Sequence, residues 1–407
     1  MEREETNRSG SINNLENLQI DIDEIKGDVI GDTVYSERFV LRLLIKLNQY
    51  SEGKIWNEEF ESDLCTLWDM TAASAVVLFL MQYNGLEIFI NTVQCSTNFR
   101  LTEILIGIIG NMCCEKSVRN ALAEHKESQD TLLSLLSNPD PQTLVQLMRI
   151  VEHLAWDIVK PQETMPDKHW FEKQLESGVI SLHLGFILSS STSEELLNGV
   201  LVVLNTFCSM NFNDKDFSQY FASSELISAM LECWKQIFSS CHYEIEFEFP
   251  NKQLEKSAHN WVSILLAFTG HEEGRSSLGK FGDHLNDILQ LWIVIPKDNS
   301  EILLTSIVRL LEGIVAYSFS AMVFSKVLKA VYVIVSEKDL KTKNEANYVE
   351  ESEELEKLTL KEGFKNYCLA IKRHVQEEVI NKTLQICKTK YVNLFWSVVD
   401  EHDTETK

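Results

Sequence analysis

Apolar residues in this chain recur at three- and four-residue intervals and seldom alternate. Phe39, Val40, Leu43, Leu44 and Leu47 form one such stripe, which predicts a helix. A second helix is predicted through Leu64, Leu67 and Trp68 and on from Val76 to Leu80. Beyond about residue 85 a layout repeats, in which a short apolar helix ends in a polar hinge and a longer, more apolar helix follows. One copy runs from Ile88 to Val93, with a hinge from Gln94 to Asn98, then from Leu101 to Met112. The clearest copy begins at Thr131-Leu132-Leu133, turns through Asn138-Pro139-Asp140-Pro141 and continues from Leu144 to Trp156. Two more run from Leu182 to Phe207 and from Leu285 to Ala316, while the stretch from 225 to 281 is helical but divergent.

The hinges carry start signals. Asp140 can accept a backbone N–H at the start of the next helix, and Pro141 suits the first helical position because no N–H is needed there. Thr192 with Glu195, and Asp298 with Glu301, have the spacing of a reciprocal cap. The copies start about 40 to 50 residues apart, the period of armadillo and HEAT units. Each has apolar residues on more than one face, which stacked neighbours would bury. The expected fold is therefore all-α, an armadillo/HEAT-like helical repeat solenoid, with a non-repeating helical domain as the competing reading.

The domain plan follows from composition. Residues 1–28 are polar and acidic and read as a disordered tail, and 29–336 as the repeat domain. Residues 337–360, with Glu350-Glu351-Ser352-Glu353-Glu354, read as an acidic flexible linker. In 361–399 the spacing of Phe364, Cys368, Ile371, Val375 and Val379 predicts one long helix or a helical pair that caps the array, or alternatively a detachable partner-binding helix. Residues 400–407 form a tail.

Composition narrows the function. The apolar share of 44% and charged share of 24% are those of an ordinary folded protein, and 16 Gly and 6 Pro are few for 407 residues, which favours helices. With 61 acidic against 37 basic residues the net charge is -24, which disfavours nucleic acid and anionic membranes and favours a basic partner segment. The apolar stretches are too short to span a bilayer, and the opening Met1-Glu2-Arg3-Glu4-Glu5-Thr6 is no secretory signal. Nine irregularly spaced cysteines, most in apolar helical runs, read as reduced thiols of an intracellular protein.

Motifs of chemistry are sparse. There is no phosphate loop, CxxC pair or HExxH, and no metal or cofactor is expected. Cys241-His242 lacks a companion pair with ligand spacing, and a Cys/His enzyme is the remote alternative. His271-Glu272-Glu273-Gly274-Arg275 reads as a solvated loop. In armadillo proteins the last helix of a unit often carries an Asn facing the concave groove, whose amide both donates to and accepts from an extended peptide. The matching positions are Asn111, His153, Asn205 and Gly313, and four residues before the first three stand Gly107, Arg149 and Leu201 where importin-like ladders carry Trp. Asn111, His153 and Asn205 are thus candidates for a partner groove, or else they bond neighbouring backbone inside the stack.

Three strings, Ile30-Gly31-Asp32-Thr33-Val34-Tyr35-Ser36, Leu67-Trp68-Asp69-Met70 and Gly107-Ile108-Ile109-Gly110-Asn111-Met112, resemble the serum amyloid A-like protein family in order and spacing across residues 29 to about 210. The resemblance implies an armadillo-like fold, nuclear or nucleocytoplasmic residence and a role linked to cell proliferation. It supplies no catalytic residues. Read from chemistry, Trp68 and Met70 anchor the first repeat, Tyr35 packs at the N-terminal cap of the solenoid, and Asp32 or Thr33 caps the following helix. The expected function is a non-catalytic scaffold or adaptor holding a protein partner, such as a basic peptide or helix. The alternative is a co-chaperone or transport factor gripping a folded domain. The oligomeric state is not legible.

Overall fold

The computed structural model describes residues 28–49, 56–159, 170–208, 211–212, 215–238, 251–293, 301–344 and 351–405. These residues are almost wholly helical, with one two-residue β ladder pairing Asn211–Phe212 (β1) with Lys215–Asp216 (β2). They fall into two compact units, one running up to Ile158 and the other continuing from Phe171.

In the first unit α1 (Glu37–Asn48) is followed by α2 (Glu58–Met70), α3 (Ser74–Gln82), α4 (Gly85–Cys95), α5 (Phe99–Met112), α6 (Lys116–Glu124), α7 (Lys126–Leu135) and α8 (Pro141–Val159). The predicted helix from Leu64 to Leu80 is in fact two helices, α2 and α3, bent by 116°. At the break Thr71 turns its hydroxyl onto the Trp68 carbonyl at 2.6 Å, competing with the helical ladder. A short third helix therefore precedes each expected pair: α3 before α4 and α5, and α6 before α7 and α8. The repeat is a triplet. The medium helices pack in one row, α1 on α4 and α4 on α7, and α2 packs on α5 in a second row. Val40, Leu64, Leu80, Phe89, Leu105, Ile109 and Leu147 are wholly buried between the rows.

Helix starts follow local chemistry. Asp140 caps α8 as expected, its carboxylate accepting from the Thr143 N–H at 2.8 Å and the Thr143 hydroxyl at 2.7 Å. Ser36, and not Asp32 or Thr33, caps α1, accepting from the Phe39 N–H at 3.1 Å. Thr33 instead closes the loop before it, bonding the Ile30 carbonyl at 2.7 Å. Half-buried Tyr35 belongs to that loop, its carbonyl accepting from the Ile30 N–H at 2.9 Å.

The second unit runs through α9 (Trp170–Glu176), α10 (Val179–Ser190), α11 (Glu194–Cys208), the ladder, a 3-10 turn at Phe217–Tyr220, α12 (Ser224–Phe238), α13 (Lys252–Phe268), α14 (Glu272–Lys280), α15 (Gly282–Trp292), α16 (Glu301–Ile314), α17 (Ala321–Asn344), α18 (Glu351–His374), α19 (Glu377–Gln385) and α20 (Thr389–Glu405). The long helices pack α11 on α13, α13 on α16 and α16 on α18, and the medium helices α10 on α12, α15 on α17 and α17 on α20. The described helices of the divergent stretch 225–281 therefore pack in the same rows as their neighbours. Aromatic rings join its layers: Phe171 stacks on Phe207 and Phe207 on Phe221, Trp261 meets Trp292 edge-on at 5.7 Å, and Phe324 meets Phe395 at 5.5 Å.

Several expectations change here. Ser193, one residue past Thr192, caps α11. Asp298 lies outside the described residues, as do Cys241 and His242. Helix α17 continues to Asn344 and α18 begins at Glu351, so the backbone of most of the 337–360 segment is helical where a flexible linker was expected. Residues 361–399 belong to three helices, and α20 extends to Glu405 through the expected tail, a stretch free of Gly and Pro. Among the described residues no single helix is long and apolar enough to cross a membrane.

Candidate functional site

In the first unit a polar ladder joins the C-terminal ends of α2 and α5 to the middle of α8. The Asn111 side-chain amide of α5 donates to the Trp68 carbonyl and to the Thr71 hydroxyl of the preceding helix end, both at 3.1 Å. Its oxygen accepts from Arg149 Nη2 of α8 at 2.6 Å, and Arg149 Nη1 donates to Gln146 at 2.9 Å. Asn111 therefore spends both ends of its amide inside the stack, the alternative its sequence position left open. A peptide backbone at this point would have to displace those bonds.

Trp68 is only half-buried, and its indole lies against Gly107 of the next helix. A Cβ on Gly107 would fall 2.1 Å from Trp68 Cζ2, so the Trp missing from position 107 is supplied by the neighbouring repeat. Met70, two residues on, is buried. His153 occupies the Asn-equivalent place on α8, half-buried, with Nε2 3.8 Å from Cys114 Sγ. Burial holds its imidazole below the usual histidine range, and Arg119 and Arg149 push the same way.

Arg119 of α6 closes the end of α5. Its Nη1 donates to the carbonyls of Cys113 at 2.6 Å and Cys114 at 3.1 Å, and its Nε to Asp157 at 2.6 Å. Arg275 of α14 does the equivalent in the second unit, donating to the Thr269 carbonyl at 2.7 Å. These arginines satisfy orphan carbonyls at a helix C-terminus and favour its dipole. His271-Glu272-Glu273-Gly274-Arg275, expected to be a loop, opens this short helix. The sequence signal was an Arg three residues before a buried Leu, repeated as Arg119/Leu122 and Arg275/Leu278.

In the second unit Asn205 donates to Asn260 Oδ1 at 3.1 Å, a bond between long helices. Gly313 lies against Thr269, where a Cβ would come within 2.6 Å. Two features here were not anticipated. Ser218 Oγ donates to Asp216 Oδ1 at 2.6 Å and lies 2.8 Å from His271 Nε2, itself 2.9 Å from Asp216 Oδ2. A hydrolytic triad needs the two nitrogens of the imidazole to face Ser and Asp separately. Here one nitrogen faces both and Ser218 is wholly buried. The cluster locks the turn before α12 to the start of α14.

The second feature is on α10. Its buried side is Ile180, Leu184, Ile187 and Leu188, and its opposite side exposes Val179 at 39%, Leu182 at 70% and Phe186 at 65%. The helix is apolar all round, more than one buried face requires, and that excess was visible in its sequence.

The chain is similar to Protein saal1 of Xenopus tropicalis, 29% identical over 273 residues that cover 59% of this chain and 57% of the relative. It is 26% identical to Protein saal1 of Danio rerio over 60% of this chain and 54% of that one, and 32% identical to Protein SAAL1 of Homo sapiens over 42% and 38%. The matches thus span about half the length of these curated relatives or less. No family model matches the chain. Among solved structures, a designed armadillo repeat protein covers 67% of this chain and 98% of its own length at 13% identity and a TM-score of 0.46. An engineered protein covers 96% and 95% at 13% identity and a TM-score of 0.49. The sequence it shares with these vertebrate relatives bears out the resemblance of the chain to the serum amyloid A-like family.

Proposed function

We propose that this protein is a non-catalytic scaffold that binds a protein partner on the exposed side of α10. The observation that carries the proposal is the stripe Val179, Leu182 and Phe186, three apolar side chains along one side of a single helix, left in water. Their spacing suits an amphipathic partner helix laid along α10. Exposed Glu176 precedes the stripe in the chain and exposed Glu194 and Glu195 follow it, so basic residues flanking the partner's apolar face are the complement. A non-catalytic role accords with the Asp216–Ser218–His271 cluster, whose geometry is that of a structural lock. Asn111 and Arg149 serve this reading as supports that hold the long helices in register. The proliferation link and nucleocytoplasmic residence implied by family resemblance belong to the same proposal.

The test is affinity capture from cells with the full chain and its Leu182→Ser, Phe186→Ser variant, after both are shown to melt alike. Loss of a partner in the variant alone supports the reading, and its affinity should fall as salt rises, because the flanking charges are screened over about 8 Å at physiological ionic strength. An unchanged partner set in the variant would overturn it. Loss in an Asn111→Ala, Asn205→Ala variant instead would move the binding surface to the long helices.

A further inference from the structure

The acidic residues of this chain are unevenly spread. The net charge is -24, yet no Asp or Glu stands between Glu312 and Glu337, or between Glu378 and Asp400. These two stretches carry five lysines, Lys326, Lys329, Lys382, Lys388 and Lys390. They meet in the second unit, where α17 packs against α19 and α20. At the turn between α19 and α20, Cys387 Sγ donates to the Ser325 hydroxyl of α17 at 3.5 Å. Further along α17, the ring of Tyr332 meets that of Tyr391 at 5.3 Å and has Lys390 Nζ 4.5 Å from its centre. Exposed Lys329 lies between these two contacts on the same side of α17, within the ~10 Å of helix axis that separates them.

Among the described residues, no carboxylate lies within ion-pair distance of Lys329, Lys382, Lys388 or Lys390. Tyr332 and Tyr391 hold the Lys390 ammonium by their faces, an attraction that leaves its charge in place. Lys326 turns away and donates to the Gln290 carbonyl of α15 at 2.9 Å. Uncovered apolar surface stands beside the lysines. Ile386, where α19 ends, is 76% exposed, and Val379 is 40% exposed. With Lys382 they occupy one side of α19, at i, i+3 and i+7. The acids of α19, Glu377 and Glu378, sit in its first turn, at the opposite end from Ile386.

We propose that the corner formed by Lys329, Ile386, Lys388 and Lys390 docks an acidic peptide segment of a partner protein, whose carboxylates face the lysines and whose apolar residue covers Ile386. Clustered like charges raise the energy of the unbound fold, and carboxylates brought by a partner relieve it. Ile386 supplies an apolar contact that a bare anion would leave unused. A long polyanion fits less well. DNA or RNA carries charge along its whole length and would run from this corner onto a chain that is acidic on average. A short peptide stays within the about 8 Å over which these charges act at physiological ionic strength. This surface shares no residue with α10 and takes a partner segment of opposite charge.

Fluorescence anisotropy of a labelled peptide, with glutamate pairs flanking leucines, titrated with the native full chain tests this. The peptide should bind, and more weakly as salt rises. Lys329→Glu with Lys388→Glu, which spares the stacked Lys390, should weaken binding about tenfold, each reversal replacing an exposed attraction by a repulsion. Ile386→Ser should weaken it about threefold. Leu182→Ser with Phe186→Ser should leave it unchanged. No binding, equal binding by a folded charge-reversed variant, or equal binding of a peptide of lysines and leucines would overturn the proposal. So would an oligonucleotide or a phosphatidylserine vesicle that binds more tightly than the peptide, or loss of binding in a folded α10 variant. Should the charge-reversed chain fail to fold, Lys329→Gln with Lys388→Gln decides. Its affinity should drop about threefold, and an unchanged affinity would refute the pairing.

Discussion

Gly107→Ala sets two physical rules against each other. In an open helix the change stabilises by about 1 kcal/mol, because glycine is a poor helix former. Here the new methyl carbon would fall 2.1, 2.3 and 2.7 Å from Cζ2, Cε2 and Cη2 of Trp68, separations that no real contact shows. The α5 backbone is packed on both sides by wholly buried Ile106 and Ile108, so the indole has to yield. Overpacking of this kind costs about 1–3 kcal/mol. Releasing a half-buried Trp costs roughly 2 kcal/mol, less than the 3–5 typical of a buried one. Since the overpacking is relieved by releasing the indole, the expected net loss after the propensity gain is about 1 kcal/mol, read as a lower urea midpoint at unchanged slope in far-UV circular dichroism. Trp68→Ala removes the obstacle, so the double variant should be more stable than the sum of the single effects by about 1–2 kcal/mol. If Gly107→Ala raises stability, or the two changes add without coupling, then Trp68 does not bridge these repeats.

Other expectations are simpler. Asp140→Ala should cost about 1 kcal/mol in the same assay, since it removes the cap of α8 and the Thr143 hydroxyl bond, and Asp140→Asn should recover most of it. Trp261→Ala should cost about 3–5 kcal/mol, because the ring is wholly buried against Trp292 and its N–H donates to the Met230 carbonyl at 2.9 Å. Acid should destabilise the fold through His153 and His259, both held below the usual histidine range chiefly by burial. With the unfolded chain taking up the proton first, their stabilising share is complete above about pH 6.5 and is lost as pH falls through the folded value, so His259→Gln should flatten thermal stability between neutral pH and pH 5.

Much of the architecture was legible in the chain. Three- and four-residue apolar spacing with few Gly and Pro permits little but helices, and the Asp140-Pro141 start is a local matter of one carboxylate and one missing N–H. The candidate site was half legible. Asn111, His153 and Asn205 were found by position, but what they bond depends on residues 38 to 55 places away in sequence, and a periodic pattern on one helix says nothing about which neighbour arrives. The 116° break at Thr71 was invisible for a related reason, because apolar spacing runs through it and the hydroxyl that ends α2 has an ordinary place in a helix. Tertiary packing also chose which side of α10 is buried. Its sequence is apolar all round, so every face could serve as core, and only the rows laid against Ile180, Leu184 and Ile187 leave Val179, Leu182 and Phe186 in water. Local chemistry thus determined the elements and their ends, whereas contacts between repeats, set by which long-range partners close the stack, decided which polar groups are satisfied and which apolar ones remain open.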